Sequence, residues 1–312
     1  MTKRKSLVRQ RQILMAIAAA VCSFLICLNL QTHPPVKQAM LVRPSVPKAS
    51  ARLAPEVNTF FVPKEFQGKD IAQTPLSPQD KVIALTFDDG PWPRTTEQVL
   101  EILKQNDIPA TFFWIGNNVK NFPKIANLVV AAGHAIGNHT WHHWYRRLNP
   151  STAAQEIEET AEIIYKTTGV RTSLFRPPGG ILNNGPAEYA KNHKYAVMMW
   201  SADSRDWFYR LASVQFLVHN VLRSAHPGGI VLMHDGGGNR SKTVKALPTI
   251  IASLRARGYK FVTVPELLQL KDKELKLAMP SGIRGGAVDR ERGVGTSDGG
   301  KKILSPELSG RL

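Results

Sequence analysis

Only two cysteines occur in the 312 residues, Cys22 and Cys27, and both fall near the start of the chain. Everything after them is free of cysteine, which excludes intramolecular disulfides there and leaves a packed apolar core as the source of stability. No segment repeats another, which excludes a repeat architecture. Acidic residues are scarce beside basic ones, 24 against 41, for a net charge of +17. That excess is uneven: residues 1–77 hold 11 Lys/Arg and 3 Asp/Glu, residues 78–268 hold 21 and 15, and residues 269–312 hold 9 and 6. The middle of the chain has no run of Lys and Arg, so nucleic acid is set aside as a partner. A basic tether beside an anionic envelope surface accounts for part of the charge instead.

The ends of the chain read differently from its middle. Residues 1–12 form a basic flank with Lys3, Arg4, Lys5, Arg9 and Arg11, and residues 13–30 follow without a charge. Eighteen uncharged residues lie near the lower limit for a membrane-spanning helix, and the basic flank assigns the N-terminus to the cytoplasm. A cleaved signal peptide has a shorter apolar core and a small-residue cleavage site, and no clear Ala-x-Ala site follows here. The expectation is an uncleaved signal anchor in a bacterial-type cell membrane, single-pass, with the remainder on the extracytoplasmic side. Residues 31–77 are rich in Pro, Gln and Ala and read as a linker; residues 269–312, with three glycine-containing patches among scattered charges, read as a disordered tail.

Between 78 and 268 strand-like and helix-like segments alternate. Apolar runs at 82–87, 110–115, 134–138, 172–176, 195–201, 229–233 and 260–264 read as strands. Segments 95–105, 122–132, 151–167, 186–193, 212–224 and 244–257 carry apolar residues at helical spacing. This is α/β architecture with a largely parallel sheet, either a small or incomplete (β/α) barrel or an open doubly wound sheet.

In either fold the carboxyl ends of the strands share one face, where active sites lie. The chemically active residues fall at those ends: Asp88 and Asp89 after the first strand, His139 and His143 after the third, Arg176 at the fourth, Asp203 and Asp206 after the fifth, His234 and Asp235 after the sixth. Adjacent buried carboxylates are costly unless a cation or a shared proton relieves them. The competing reading of Asp88-Asp89-Gly90 is a solvated turn. The cluster Asn138-His-Thr-Trp-His-His143 supplies three imidazoles. If it turns as a helix, His139 and His143 lie one turn apart, and His142 is also within reach. Two His and one carboxylate bind zinc or a similar divalent ion and leave positions open for water and substrate.

Thr86-Phe-Asp-Asp-Gly-Pro91, His139-Thr-Trp-His-His143, Arg176-Pro-Pro-Gly-Gly180, Asp203-Ser-Arg-Asp-Trp207 and Leu232-Met-His-Asp235 resemble, in order, the five motifs of the polysaccharide deacetylase family, also known as the NodB-homology or carbohydrate esterase 4 family. The resemblance covers about residues 78–268 and implies a distorted, incomplete (β/α) barrel. It implies a metal held by Asp89, His139 and His143, with zinc first and cobalt or nickel as alternatives. It further implies Asp88 as general base held by Arg176, His234 as general acid oriented by Asp206, an oxyanion contact from the backbone N–H of Gly179, and Trp207 and Leu232 lining the acyl pocket. The family usually carries an aromatic where this chain has Gly179; Trp92, Trp141 and Trp144 are candidates to stack on sugars in its stead, or to pack between elements.

The activity implied is removal of N-acetyl groups from N-acetylglucosamine units of a cell-envelope polysaccharide, peptidoglycan first. The partners expected are that polysaccharide and, through the N-terminal helix, the membrane. Two alternatives stand beside it: an esterase or deacetylase of the same scaffold acting on chitin-like or O-acylated polysaccharide, and a non-catalytic wall-binding protein.

Overall fold

The computed structural model describes residues 59–60, 62–208 and 212–278. The run of apolar residues from Val82 becomes the central strand, β3 (Val82–Gly90), buried along nearly its whole length. A strand buried on both faces belongs in the middle of a parallel sheet. Around it lie β1 (Thr59–Phe60), β2 (Asp70–Ile71), β4 (Thr111–Trp114), β5 (Ala135–Asn138), β6 (Arg171–Thr172), β7 (Leu174–Phe175), β8 (Ala196–Met198), β9 (Ala202–Asp203), β10 (Gly229–His234) and β11 (Lys260–Val262). Nine of these form one sheet in the order β2-β8-β7-β5-β4-β3-β10-β9, with β11 also on β3. All its ladders are parallel. One edge of β3 is covered by β10, while β11 and β4 pair with its first and last residues respectively.

The helices are α1 (Thr95–Gln105), α2 (Gly116–Asn121), α3 (Pro123–Ala131), α4 (Pro150–Thr168), α5 (Pro186–Asn192), α6 (Val214–Ser224), α7 (Ser241–Ala256) and α8 (Val264–Ala278). Their ends follow local chemistry. Asn149 accepts a hydrogen bond from the Thr152 amide with Pro150 at the first helical position, and Gly169 closes α4 at φ 74°. Ser213 caps α6 by accepting from the Phe216 amide.

The sheet curls towards closure. After β8, Met199 donates its amide to Ile71 and Ser201 donates to Ile230, so three residues carry the chain from one end of the sheet to β9 beside β10. The result is a distorted, incomplete (β/α) barrel, as expected. Strand alternation divides the core. Ile83, Leu85, Phe87, Phe112 and Trp114 belong to one apolar cluster, with residues of the helices, whereas Ala84, Phe113, Met198 and Ile230 belong to another. Ala84, Thr86 and Asp88 therefore share a face, and the strand delivers Asp88 to the end of that column.

Three expectations need revision. The first concerns the anchor: among the described residues no helix is long and apolar enough to cross a membrane. The longest, α4, is amphipathic, with glutamates spaced along it. The segment 13–30 lies outside the described residues, and the single-pass membrane location built on it is withdrawn. The second concerns the linker 31–77: Val62 and Ile71 within it are buried, and β2 pairs with β8. The third concerns the tail. α8 runs past 268 to Ala278 because Leu267 and Leu268 pack into the core and Lys276 pairs with Asp272 one turn away.

Phe112 is fully buried and stacks on Phe87 with centroids 5.1 Å apart. Phe112→Ala is expected to destabilise the protein by about 3–5 kcal/mol, measured by denaturant unfolding.

Candidate active site

In a regular strand neighbouring side chains point to opposite faces, so Asp88 and Asp89 should diverge. They do not. Asp89 has φ 71°, and the register between β3 and β4 shifts between Asp88 and Gly90. This irregularity turns Asp89 back, and both acids open into one cavity of about 310 Å³ at the carboxyl end of the sheet.

Asp88 is held from behind. Arg176, fully buried, donates from Nη1 to Asp88 Oδ1 at 2.7 Å and to Thr86 Oγ1 at 2.8 Å. Its Nε donates to the Met198 carbonyl and its Nη2 to that of Met199, while the guanidinium lies 4.0 Å over the Phe113 ring. Burial pulls the guanidinium below its ordinary pKa and the ion pair with Asp88 opposes this.

Asp89 faces the histidines. Its Oδ1 lies 3.2 Å from His143 Nε2 and 3.6 Å from His139 Nε2, and Oδ2 lies 3.6 Å from Arg240 Nη2. His139 Nδ1 sits 2.6 Å from the Arg176 carbonyl, which can only accept, so Nδ1 carries the proton and Nε2 offers its lone pair. Burial, reinforced by His143, lowers the His139 pKa to about 3, so the ring is neutral. The segment 139–143 is a loop, so the condition of a helical turn is not met: Thr140 and His143 have φ of 65° and 61°. The buried carboxylate of Glu156 on α4 holds it, accepting from the amides of Trp141 and His142 and pairing with His142 Nδ1 at 2.5 Å. His142 is thereby turned away from the metal-ligand set.

On the other side, His234 Nδ1 lies 2.7 Å from Asp206 Oδ1, and Asp206 Oδ2 accepts from the His234 amide and from Thr243. Burial lowers the His234 pKa, but the Asp206 charge and hydrogen bond outweigh it and bring it up to about 9. Burial likewise raises Asp206, and His234 with Arg240 and Thr243 reverses this to a net lowering. The neighbouring Asp235 is fully buried beside Thr96 and does not line the cavity; burial pushes its carboxyl up to about 7.

Asp89, His139 and His143 offer ligand atoms all within 4.8 Å of one another. Asp89 Oδ1 is buried with no hydrogen-bond partner among the described residues, an orphan that a cation would satisfy. One carboxylate and two imidazole nitrogens suit a divalent ion and leave coordination positions open. The residues present fit a metal.

Of the residues singled out in the sequence, Asp88, Asp89, His139, His143, Gly179, Asp203, Trp207, Leu232 and His234 line the cavity. Arg176 and Asp206 stand behind it, each bonded to a lining residue. Sequence reasoning missed Tyr145, Trp200 and Arg240 in this wall; no spacing pattern marks them. Trp92, Trp141 and Trp144 are not among the lining residues. Trp92 packs edge-on to Phe122, and Trp144 stacks on His142.

Residues 76–198 match the family model described as polysaccharide deacetylase. A peptidoglycan-N-acetylglucosamine deacetylase of Bacillus cereus is 42% identical over 194 residues, which is 62% of this chain and 90% of that protein. This chain belongs to the polysaccharide deacetylase family. The peptidoglycan-N-acetylmuramic acid deacetylase PdaC of Bacillus subtilis is 38% identical over 197 residues, covering 63% of this chain and 40% of that one. Among solved structures, the Bc1960 peptidoglycan N-acetylglucosamine deacetylase bound to a small N-oxidanyl-benzamide superposes with a TM-score of 0.60 at 35% identity, over 66% of this chain and 94% of that one.

The ligand geometry gives a direct test. Asp89→Asn, His139→Ala and His143→Ala are each expected to weaken zinc binding by more than the roughly 10–100-fold cost of losing an outer partner. Asp88→Asn is expected to leave it nearly unchanged, as read by calorimetric titration of the metal-stripped proteins.

Proposed function

We propose that this polysaccharide deacetylase removes N-acetyl groups from N-acetylglucosamine units of peptidoglycan, with zinc as its metal. The observation that carries the reading is the convergence on one cavity of a metal-ligand triad, an Arg-held carboxylate and an Asp-held imidazolium. The substrate rests on the names of the relatives, one acting on the N-acetylglucosamine and one on the N-acetylmuramic acid of peptidoglycan.

When bound to Asp89, His139 and His143, a divalent ion supplies Lewis acidity to water and to the acetamide carbonyl. Asp88, held in place by Arg176, takes a proton from the attacking water. The Gly179 amide donates to the carbonyl oxygen as negative charge develops there. His234, charged through Asp206, gives its proton to the sugar nitrogen as the C–N bond breaks. Acetate leaves and the sugar keeps a free amine. An amide nitrogen is a poor leaving group until it is protonated, which is why the cavity presents both a base and an acid. Trp207 and Leu232 enclose the acetyl methyl.

Metal-loaded protein is expected to release acetate from N-acetylglucosamine oligomers and from purified peptidoglycan, and a chelator is expected to stop it. Mass analysis of the peptidoglycan product identifies which of its two sugars lost the acetyl group. Release only from O-acetylated sugars would overturn the amide reading in favour of an esterase. The pH profile follows from His234, which is protonated below about 9. Activity needing that acid is present at neutral pH and falls as pH rises through about 9. Asp206→Asn removes the partner that raises it, so the alkaline limb of kcat/KM is expected to move down towards 6.5.

A further inference from the structure

Tyr145 stands two residues beyond His143 and is 59% exposed, yet its ring is fixed on two sides. It meets the His143 ring edge-on, with centroids 5.1 Å apart and planes at 82°. Its other contact is Gly179. That residue has φ 60°, and a Cβ there would come within 2.7 Å of Tyr145 Cε1 and 3.0 Å of Cδ1. The absence of a side chain at Gly179 is therefore what gives the ring its seat on the cavity wall. The loop beneath is also held: the His142 ring lies flat on Trp144 at 4.2 Å, Arg146 covers the Trp144 ring at 4.2 Å, and Glu156 binds the amides at 141 and 142. A second exposed ring, Trp207, borders the same cavity and is tied by Nε1 to Asp203. Large exposed apolar rings held rigid beside a cavity mark a binding surface. The apolar face of a pyranose suits them, because a Tyr ring loses little freedom on contact and keeps a polar tip in water.

We propose that Tyr145, seated on Gly179, is a specificity-determining residue that stacks on a sugar unit flanking the one in the reaction cavity, so that the protein selects glycan chains over single sugars. This rests on the glycan-deacetylase reading for its ligand class, and on geometry alone for its location.

The test is binding of N-acetylglucosamine and of its oligomers to metal-loaded protein by calorimetry, with acetate release measured in parallel. The unaltered protein is expected to bind oligomers more tightly than the monomer. Tyr145→Ala is expected to lose about tenfold on oligomers, expressed in KM more than kcat, and little on the monomer. Tyr145→Phe is expected to keep most of the affinity, and zinc affinity is expected to stay unchanged in both variants. Equal affinity for monomer and oligomers in the unaltered protein would overturn the proposal. So would a Tyr145→Ala loss independent of chain length, or one that tracks weakened zinc binding through His143. Oligomer binding that depends on Tyr145 without any acetate release would sustain the proposal and sink the deacetylase reading instead.

Discussion

The contact on which the site depends is the buried ion pair between Arg176 and Asp88. Removing two such charges from water costs several kcal/mol for each, and it is tolerable only with close pairing and every remaining donor engaged. Arg176 approaches that condition through Asp88, Thr86 and the carbonyls at the end of β8. Its side chain thereby ties β3 to the stretch where the sheet turns towards closure. Its own carbonyl does a second task by accepting from His139 Nδ1, which fixes the tautomer of a proposed metal ligand. The proposed base and the proposed metal centre are thus aligned by opposite ends of one residue.

The cavity holds two histidines in opposite states. His139 and His234 both lose hydration, but at His139 the more distant Asp89 carboxylate opposes burial only in part and His143 adds to it, whereas His234 has the Asp206 carboxylate hydrogen-bonded to its Nδ1. Burial penalises the charged form in each case, and only at the second site do the neighbours outweigh it. Environment alone divides chemically identical rings between ligand and proposed proton donor, without any change of residue type.

The parallel strands and the gathering of active residues at their carboxyl ends were legible because apolar runs and α/β alternation carry that information locally. The convergence of Asp88 and Asp89 was not, since it depends on a left-handed backbone at Asp89 that no side-chain pattern announces. The path of the loop at 139–143 was hidden for a similar reason: its shape is imposed by Glu156, one helix later. Spacing left His142 and His143 as equivalent candidates, the resemblance chose between them, and Glu156 supplies the physical cause. Arg240, Trp200 and Tyr145 enter the wall through loops whose paths are set by tertiary packing. At the edges, β2 is too short and the end of α8 too polar for the sequence to distinguish them from linker and tail.

The backbone after β10 passes directly against the turn at Asp89. Asp235 donates its amide to the Asp88 carbonyl, and a Cβ on Gly236 would sit only 1.9 Å from the Asp89 carbonyl oxygen. The spacing between proposed base and proposed acid is therefore dictated by main chain against main chain. Side chains in the loops that border the cavity can drift, through mutation or insertion, without retuning the distance a proton must cover. Chemistry and recognition are in this sense separately evolvable: one scaffold can be redirected among glycans while its reaction coordinate stays put.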